Sequence, residues 1–205
     1  MNWLKKISQS KPMALPTMVP EHQREQGGIA KIDRNMSEET AQNEYSLDPS
    51  MSLLGAGSNG IVYKSSGRVI KYSKDISEFR NTIFAFENQL KWVVPILEQP
   101  RQIQENPFLC KIAMKELDQI TARQSSLLWH LTDHILPGKK IVELPDIGDV
   151  MDDFVLTMNV DEVFNIYSQV EYIIQENEKT FKLRDIHPDN FGWDGNKLKL
   201  LDLSR

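Results

Sequence analysis

The sequence predicts an α+β fold: an antiparallel sheet with one helix, then a mostly helical second half closed by a hairpin. Three observations predict it. Short β-rich runs near 51–55, 60–64 and 68–73 are separated by glycine-containing turns and read as a meander. Ile76, Phe79, Ile83, Phe86 and Leu90 then recur at helical spacing, and a longer stripe runs from Val160 to Phe181. Near the end, Phe191-Gly192-Trp193 and Lys197 to Leu201 flank Asp194-Gly195-Asn196, which is good turn chemistry for a hairpin.

With 205 residues the chain suits one domain, or one domain with a tail. Residues 1–48 are rich in Gln, Ser, Pro and charge and carry no sustained period, so they read as a solvated tail. A docking or targeting segment with Trp3, Leu4 and Ile7 as a short apolar anchor is the alternative there. Residues 49–205 form the folded domain, with 40% apolar content over the whole chain. A net charge of −5 gives no general attraction for nucleic acid or an anionic membrane. No apolar run reaches the length of a membrane span, about 18–20 residues. Cys110, the single cysteine, sits in the apolar run Phe108 to Met114 and reads as a small buried hydrophobe. It suits a reducing compartment, and we expect a cytoplasmic protein.

Taken in order, the helix after the meander starts at Asp75, with Glu78 three residues on as a capping pair. Val93 to Leu97 reads as a strand, Gln99 to Pro107 as a loop and Phe108 to Met114 as a further strand. Residues 120–136 read as a helix ended by Pro137-Gly138. His130 and His134 share a face of it, and a packed or solvated face is the reading over a metal site, which needs a third ligand. Residues 139–158 are acidic and read as surface loops with a short strand at Val155 to Met158. Asn159 and Glu162 cap the long helix, whose stripe is Val160, Val163, Phe164, Tyr167, Val170, Ile173, Ile174 and Phe181.

The chemistry concentrates in Arg184-Asp185-Ile186-His187-Pro188-Asp189-Asn190 and in Asp202-Leu203-Ser204. Two carboxylates and a carboxamide on neighbouring loops are what phosphoryl transfer requires: one carboxylate to take a proton from an attacking hydroxyl, an amide oxygen and a carboxylate to hold Mg²⁺ on phosphates. Upstream, Gly55-Ala56-Gly57-Ser58-Asn59-Gly60-Ile61-Val62 is a glycine-rich loop between strands, and Val69-Ile70-Lys71 lies on the third strand. A β-rich run follows these glycines, not a helix, which argues against a Rossmann turn.

These motifs, in this order, resemble the protein kinase superfamily, with R-D-x-x-P-x-N, G-x-G-x-x-G-x-V, a V-A-I-K-like strand and a counterpart of D-F-G. The resemblance implies a two-lobe fold with an N-lobe near 49–116, a C-lobe near 117–205, and ATP and Mg²⁺ as ligands. It implies Asp185 as the base, Asn190 and Asp202 as metal ligands, and Lys71 as the phosphate clamp. Gly55, Gly57, Gly60, Val62 and Val69 would line the nucleotide site, and Met114 and Glu116 would form the hinge beside adenine. Glu87, sixteen residues after Lys71, is expected to anchor that lysine, ahead of Glu78. The stretch Glu87 to Trp92 is similar to the aminoglycoside phosphotransferase version of this helix.

Several positions depart from the family. His187 stands where serine/threonine kinases place a lysine near the γ-phosphate and is expected to contact the nucleotide there, Leu183 replaces a structural His, and Leu203 and Ser204 replace Phe and Gly. The sequence ends at Arg205, so the activation segment and later helices do not follow Asp202 in it. The resemblance thus implies a minimal kinase of bacterial or phage type, including host-directed effectors, acting on protein serine or threonine. A weakly active or inactive kinase-like module that binds a partner, and a small-molecule kinase, are the alternatives. An uncovered face on the helix 160–181 is expected to dock a partner protein or a second copy, with the N-terminal tail as another docking segment.

Overall fold

The computed structural model describes residues 51–56, 60–103, 109–133, 144–154 and 156–204. The chain divides into two units, Met1–Lys31 and Ile32–Arg205, and all described residues belong to the second. The tail expected over 1–48 lies outside the described residues.

The fold is α+β. The meander forms as expected: β1 (Ser52–Ala56), β2 (Gly60–Ser65) and β3 (Arg68–Ser73) pair antiparallel in sequence. β5 (Cys110–Lys115) adds to β3, and a two-residue β4 (Arg101–Gln102) adds to β5, giving a five-stranded sheet in the order β1-β2-β3-β5-β4. Side chains alternate across the sheet. Ile61, Tyr63, Ile70 and Tyr72 therefore form a cluster of their own on one face, and Val62, Val69 and Lys71 turn to the other.

α1 (Ile76–Asn88) starts at Asp75, whose carboxylate accepts from the Ser77 and Glu78 N–H groups as expected of a cap, while the reciprocal half of the pair does not form, because the Asp75 N–H donates to Ser73 Oγ instead of Glu78. Its buried side chains are Glu78, Phe79, Thr82 and Ala85, while Phe84 stays 45% exposed. The helix is thus rotated from the stripe read off Ile83, Phe86 and Leu90, because a polar residue, Glu78, belongs to the inward face. Val93 to Leu97 is not a strand. It is an extended link with single bridges, Val93 to Leu200 and Ile96 to Met114. Backbone bonds from Val94 N to the Leu200 carbonyl and from Leu97 N to the Ala113 carbonyl, both 2.9 Å, tie it to hairpin and sheet alike.

The second half contains α2 (Ala122–Thr132), α3 (Ile147–Phe154) and α4 (Val160–Thr180). Thr121 and Gln124 close a full capping box on α2. Within the acidic stretch expected to be loop, the described residues Ile147–Phe154 form α3: Val150 is its buried contact, and its acidic residues Asp149, Asp152 and Asp153 are exposed, while residues 139–143 and 155 lie outside the described residues. His134 lies outside the described residues, and His130 packs edge-on to Phe154 of α3.

The stripe on α4 is not left bare. Val163, Ile166, Val170, Ile173 and Ile174 are buried, packed in one core with Leu127, Leu128 and Leu131 of α2, Val150 of α3 and Leu200 of the hairpin. Val160 and Phe164 remain partly exposed at its first turns. Each aliphatic side chain buried here contributes about 1.5–3 kcal/mol, and α2 and α3 supply the cover that the sequence did not reveal.

After α4 the chain reverses at Lys182 (φ 56°) and runs through a 3₁₀ turn (Pro188–Asn190) into the hairpin β6 (Phe191–Asp194) and β7 (Lys197–Leu200). Gly192 is required where it stands: a Cβ there would lie 2.8 Å from the Leu117 Cβ, at the crossing between the two halves.

Candidate active site

β3 delivers Lys71 into a cavity of about 600 Å³ between the sheet and the hairpin end, which Val62, Val69, Met114, Glu116, Asn190 and Asp202 also line. Met114 ends up opposite Val69 in the ladder, so both side chains share the cavity face. Glu116 continues into the link between lobes and pairs with Lys64 of β2. Gly55 lies in β1 with open space where a Cβ would stand, and Gly57 lies outside the described residues. Gly60 is needed for a different reason than phosphate approach: a Cβ there would come 2.8 Å from the Tyr72 carbonyl and 3.3 Å from Lys71 Cε.

Lys71 Nζ lies 2.5 Å from Glu78 Oε1 and 2.8 Å from Asp202 Oδ2. The residue that holds the lysine is therefore Glu78, and the expectation of Glu87 is corrected. Glu78 and Glu87 are nine positions apart on one helix, which at 3.6 residues per turn puts them about 180° apart. Only one can face β3, and Glu87 is exposed. The turn from β3 to α1 is so short that Glu78, in the first helical turn, already overhangs the strand. Its second oxygen, Oε2, accepts from Ser73 Oγ at 2.7 Å, and that same hydroxyl accepts from the Asp75 N–H at 3.1 Å. A carboxylate in a first helical turn is also favoured by the helix dipole.

The charges in this cluster do not balance, with two carboxylates to one ammonium. Burial by itself pulls Lys71 below the ordinary lysine value, but Glu78 and Asp202 outweigh it and hold the group above that value. Burial pushes Asp202 up, and Lys71 with the Ser204 N–H more than reverses this, leaving it below the usual range. For Glu78 burial prevails over Lys71 and Ser73, and the negative field of Asp202 adds to it, so its value is raised.

The lower loops are fixed by buried polar contacts. Asn177, 0% exposed on α4, donates to the Leu183 carbonyl at 3.0 Å and accepts from the Leu183 N–H at 2.9 Å. Arg184 pairs with Glu178 of the same helix. Asn190 Nδ2 donates to the Asp185 carbonyl at 2.9 Å, and the Asn190 carbonyl accepts from Leu201 N at 2.7 Å, so the loop and the strand leading to Asp202 are held together. Asp202 Oδ1 accepts from the Ser204 N–H at 2.8 Å, and Asn81 of α1 donates to the Leu203 carbonyl at 2.8 Å. Sequence reasoning missed Ser73, Asn81 and Asn177. The Asp75 cap, which fixes Glu78 at the third helical position beside Ser73, was the signal for the first.

The Asp185 side chain is 65% exposed and is not among the residues that line the cavity. His187 does not line the cavity. The chain turns at Pro188, so Pro188, Asp189 and Asn190 face the cavity and the imidazole lies flat on Trp129 of α2, ring centroids 6.1 Å apart. Its two nitrogens sit 3.8 Å from carboxylate oxygens of Asp185 and Asp189. The expectation that His187 contacts the nucleotide is corrected accordingly.

No family model matches the chain, and no curated protein matches it. Among solved structures it is similar to a thermostable mutant of the aminoglycoside phosphotransferase APH(4)-Ia in its apo form, with 10% identity and a TM-score of 0.37 over 82% of this chain and 71% of that one. The kinase domain of Mycobacterium tuberculosis PknI is similar at 19% identity and a TM-score of 0.34, over 77% of this chain and 60% of that one. A streptomycin–ATP complex of APH(2")-IIa follows at 14% identity and a TM-score of 0.31, over 82% and 71%. At these values the likeness adds nothing to what the geometry of the cavity itself provides.

Proposed function

We propose that this protein transfers a phosphoryl group from ATP to a hydroxyl, most simply that of a protein serine or threonine. The observation that carries the reading is the meeting of Lys71, Glu78 and Asp202 at one end of the cavity, from a strand, a helix and a loop that lie up to 131 residues apart. A buried ammonium shared by two carboxylates is an arrangement a core avoids unless something is to be held there. The chain's residues then divide the work. Val62, Val69 and Met114 give an apolar slot for a purine. Lys71, held by Glu78, neutralises charge on the phosphates. Asp185, exposed and beside the loop tied by Asn190, takes the proton from the acceptor hydroxyl. That exposure is the reason for preferring an acceptor carried on a large molecule.

Asn190 and Asp202 both face the cavity, and a carboxylate with an amide oxygen is a donor set that suits a hard cation such as Mg²⁺. Bound there, the ion would neutralise phosphate charge. Asp202 in this structure is engaged with Lys71, so the lysine has to exchange a carboxylate for phosphate when nucleotide enters.

The test is transfer from labelled ATP with Mg²⁺ to the protein itself or to a cell extract, with Lys71→Ala and Asp202→Ala as controls. Both substitutions should abolish transfer. ATP at a hundredfold its dissociation constant should stabilise the fold by about 2.7 kcal/mol. Neither transfer nor stabilisation would leave a non-catalytic binding module in its place.

A further inference from the structure

A second cavity of about 550 Å³ lies behind α1 and shares no lining residue with the first. Ligand pockets commonly measure about 300–1,000 Å³. The C-terminal half of α1 and the extended link supply apolar walls, among them Phe86, Leu90, Val94 and Ile96, and β7 supplies one amine, Lys199. Leu198 and Leu200 turn into the core, so strand alternation sends Lys199 to the opposite face, where it is 6% exposed.

Among the described residues, that amine is incompletely satisfied. An ammonium has three donors, and the Lys91 carbonyl takes one. Burial holds the amine below the ordinary lysine value; Asp194 favours the charged form, and Lys197 and Lys115 oppose it. A buried cation without a carboxylate against it is unfavourable, and a ligand can bring that carboxylate. An inorganic anion would satisfy the amine but leave the apolar walls wet, and a neutral apolar molecule would do the reverse. At the mouth Glu87 and Lys91 offset each other, so a monoanion is not repelled.

We propose that this cavity binds a small apolar monocarboxylate, its head on Lys199 Nζ and its body along Phe86, Leu90, Val94 and Ile96. The site stands apart from the phosphotransferase reading and does not rest on it. It also gives Glu87 a position at a pocket mouth, where the active site gave it none.

Sodium octanoate, with octan-1-ol and inorganic phosphate as comparisons, tests this on the full chain by thermal melting and by ligand-observed NMR. Octanoate should bind and raise the melting temperature with dose, at least tenfold more tightly than either comparison. Lys199→Met, which keeps length and apolarity, should weaken octanoate at least tenfold and leave octanol unchanged. Leu90→Trp fills the cavity with Lys199 intact and should also block octanoate, which covers the case in which the lysine variant does not fold. The proposal is overturned if octanoate fails to bind, if octanol or phosphate binds as tightly, if Leu90→Trp retains binding, or if ATP displaces the octanoate, since that would place it in the first cavity.

Discussion

Lys71 has two partners, and they do not respond to pH alike. Asp202 has a lowered value in the folded protein, so its contribution to stability is present above the ordinary carboxylate range and is lost as pH falls through the folded value. Glu78 is raised, so its effect has the opposite sign: the folded state is favoured below the unfolded value of 4.5 and loses that advantage as pH rises through the folded one. Glu78→Gln should therefore flatten the loss of stability that wild type shows on going up from pH 4.5, measured by urea denaturation at several pH values. An unchanged slope would mean that Glu78 is not buried as described. For the transfer reaction proposed above, the same substitution removes a charge-assisted contact worth about 1.5–3 kcal/mol, so kcat should fall roughly 10- to 100-fold. Glu87→Gln should stay within about twofold of wild type, because its side chain points away from β3. If the two variants exchange these outcomes, α1 is rotated half a turn from the position given above.

Among the elements, α4 does two separate things. Its apolar side closes the core against α2, α3 and β7. Its single buried amide, Asn177, reads the backbone of Leu183 in both directions and so fixes where the chain leaves the left-handed residue Lys182 and enters the loop carrying Asp185. Asn177→Ala would strand a buried N–H and a buried carbonyl, each worth about 1–3 kcal/mol. We expect a loss of roughly 2–4 kcal/mol by urea denaturation, and a fall in turnover in the fraction that remains folded. A loss under about 0.5 kcal/mol, the level of an ordinary surface change, would show that the turn is held by other means. Hairpin β6–β7 and the extended link 92–97 work as a pair in the same way: Trp92 and Val94 exchange backbone bonds with Leu200 on the inner side, and Phe181 packs its ring on Trp92 at 5.6 Å.

Across the whole molecule, the sheet and the helical half meet through these polar and aromatic contacts, with the first cavity on one side and the second behind α1. Cys110 reports on the integrity of that assembly. It is 1% exposed, and burial, with the fields of Glu78 and Asp75, pushes its thiol up to about 12. Native protein should consume no thiol reagent at neutral pH until β5 opens, so the labelling rate measured against urea should follow global unfolding. Fast labelling without denaturant would contradict the packing of β5 in the sheet. No helix among the described residues is long and apolar enough to cross a membrane.

What the sequence determined by itself was local, and not all of that, since the link 93–97 and the helix α3 were read otherwise. The meander, the Asp75 cap, the long helix and the Asp194-Gly195-Asn196 hairpin follow from turn chemistry and from the period of apolar residues over a few positions. The order of the glycine loop, Lys71, Asp185, Asn190 and Asp202 could be read for the same reason, since each is a short run with its own backbone requirement. Tertiary structure alone decided rotation and cover. Glu78 and Glu87 fit a helix equally well, and the choice between them rests on which face Phe79, Thr82 and Ala85 turn inward. The cover of α4 by α3, and the turning of His187 onto Trp129, likewise depend on contacts between residues far apart in the chain, which no local period records.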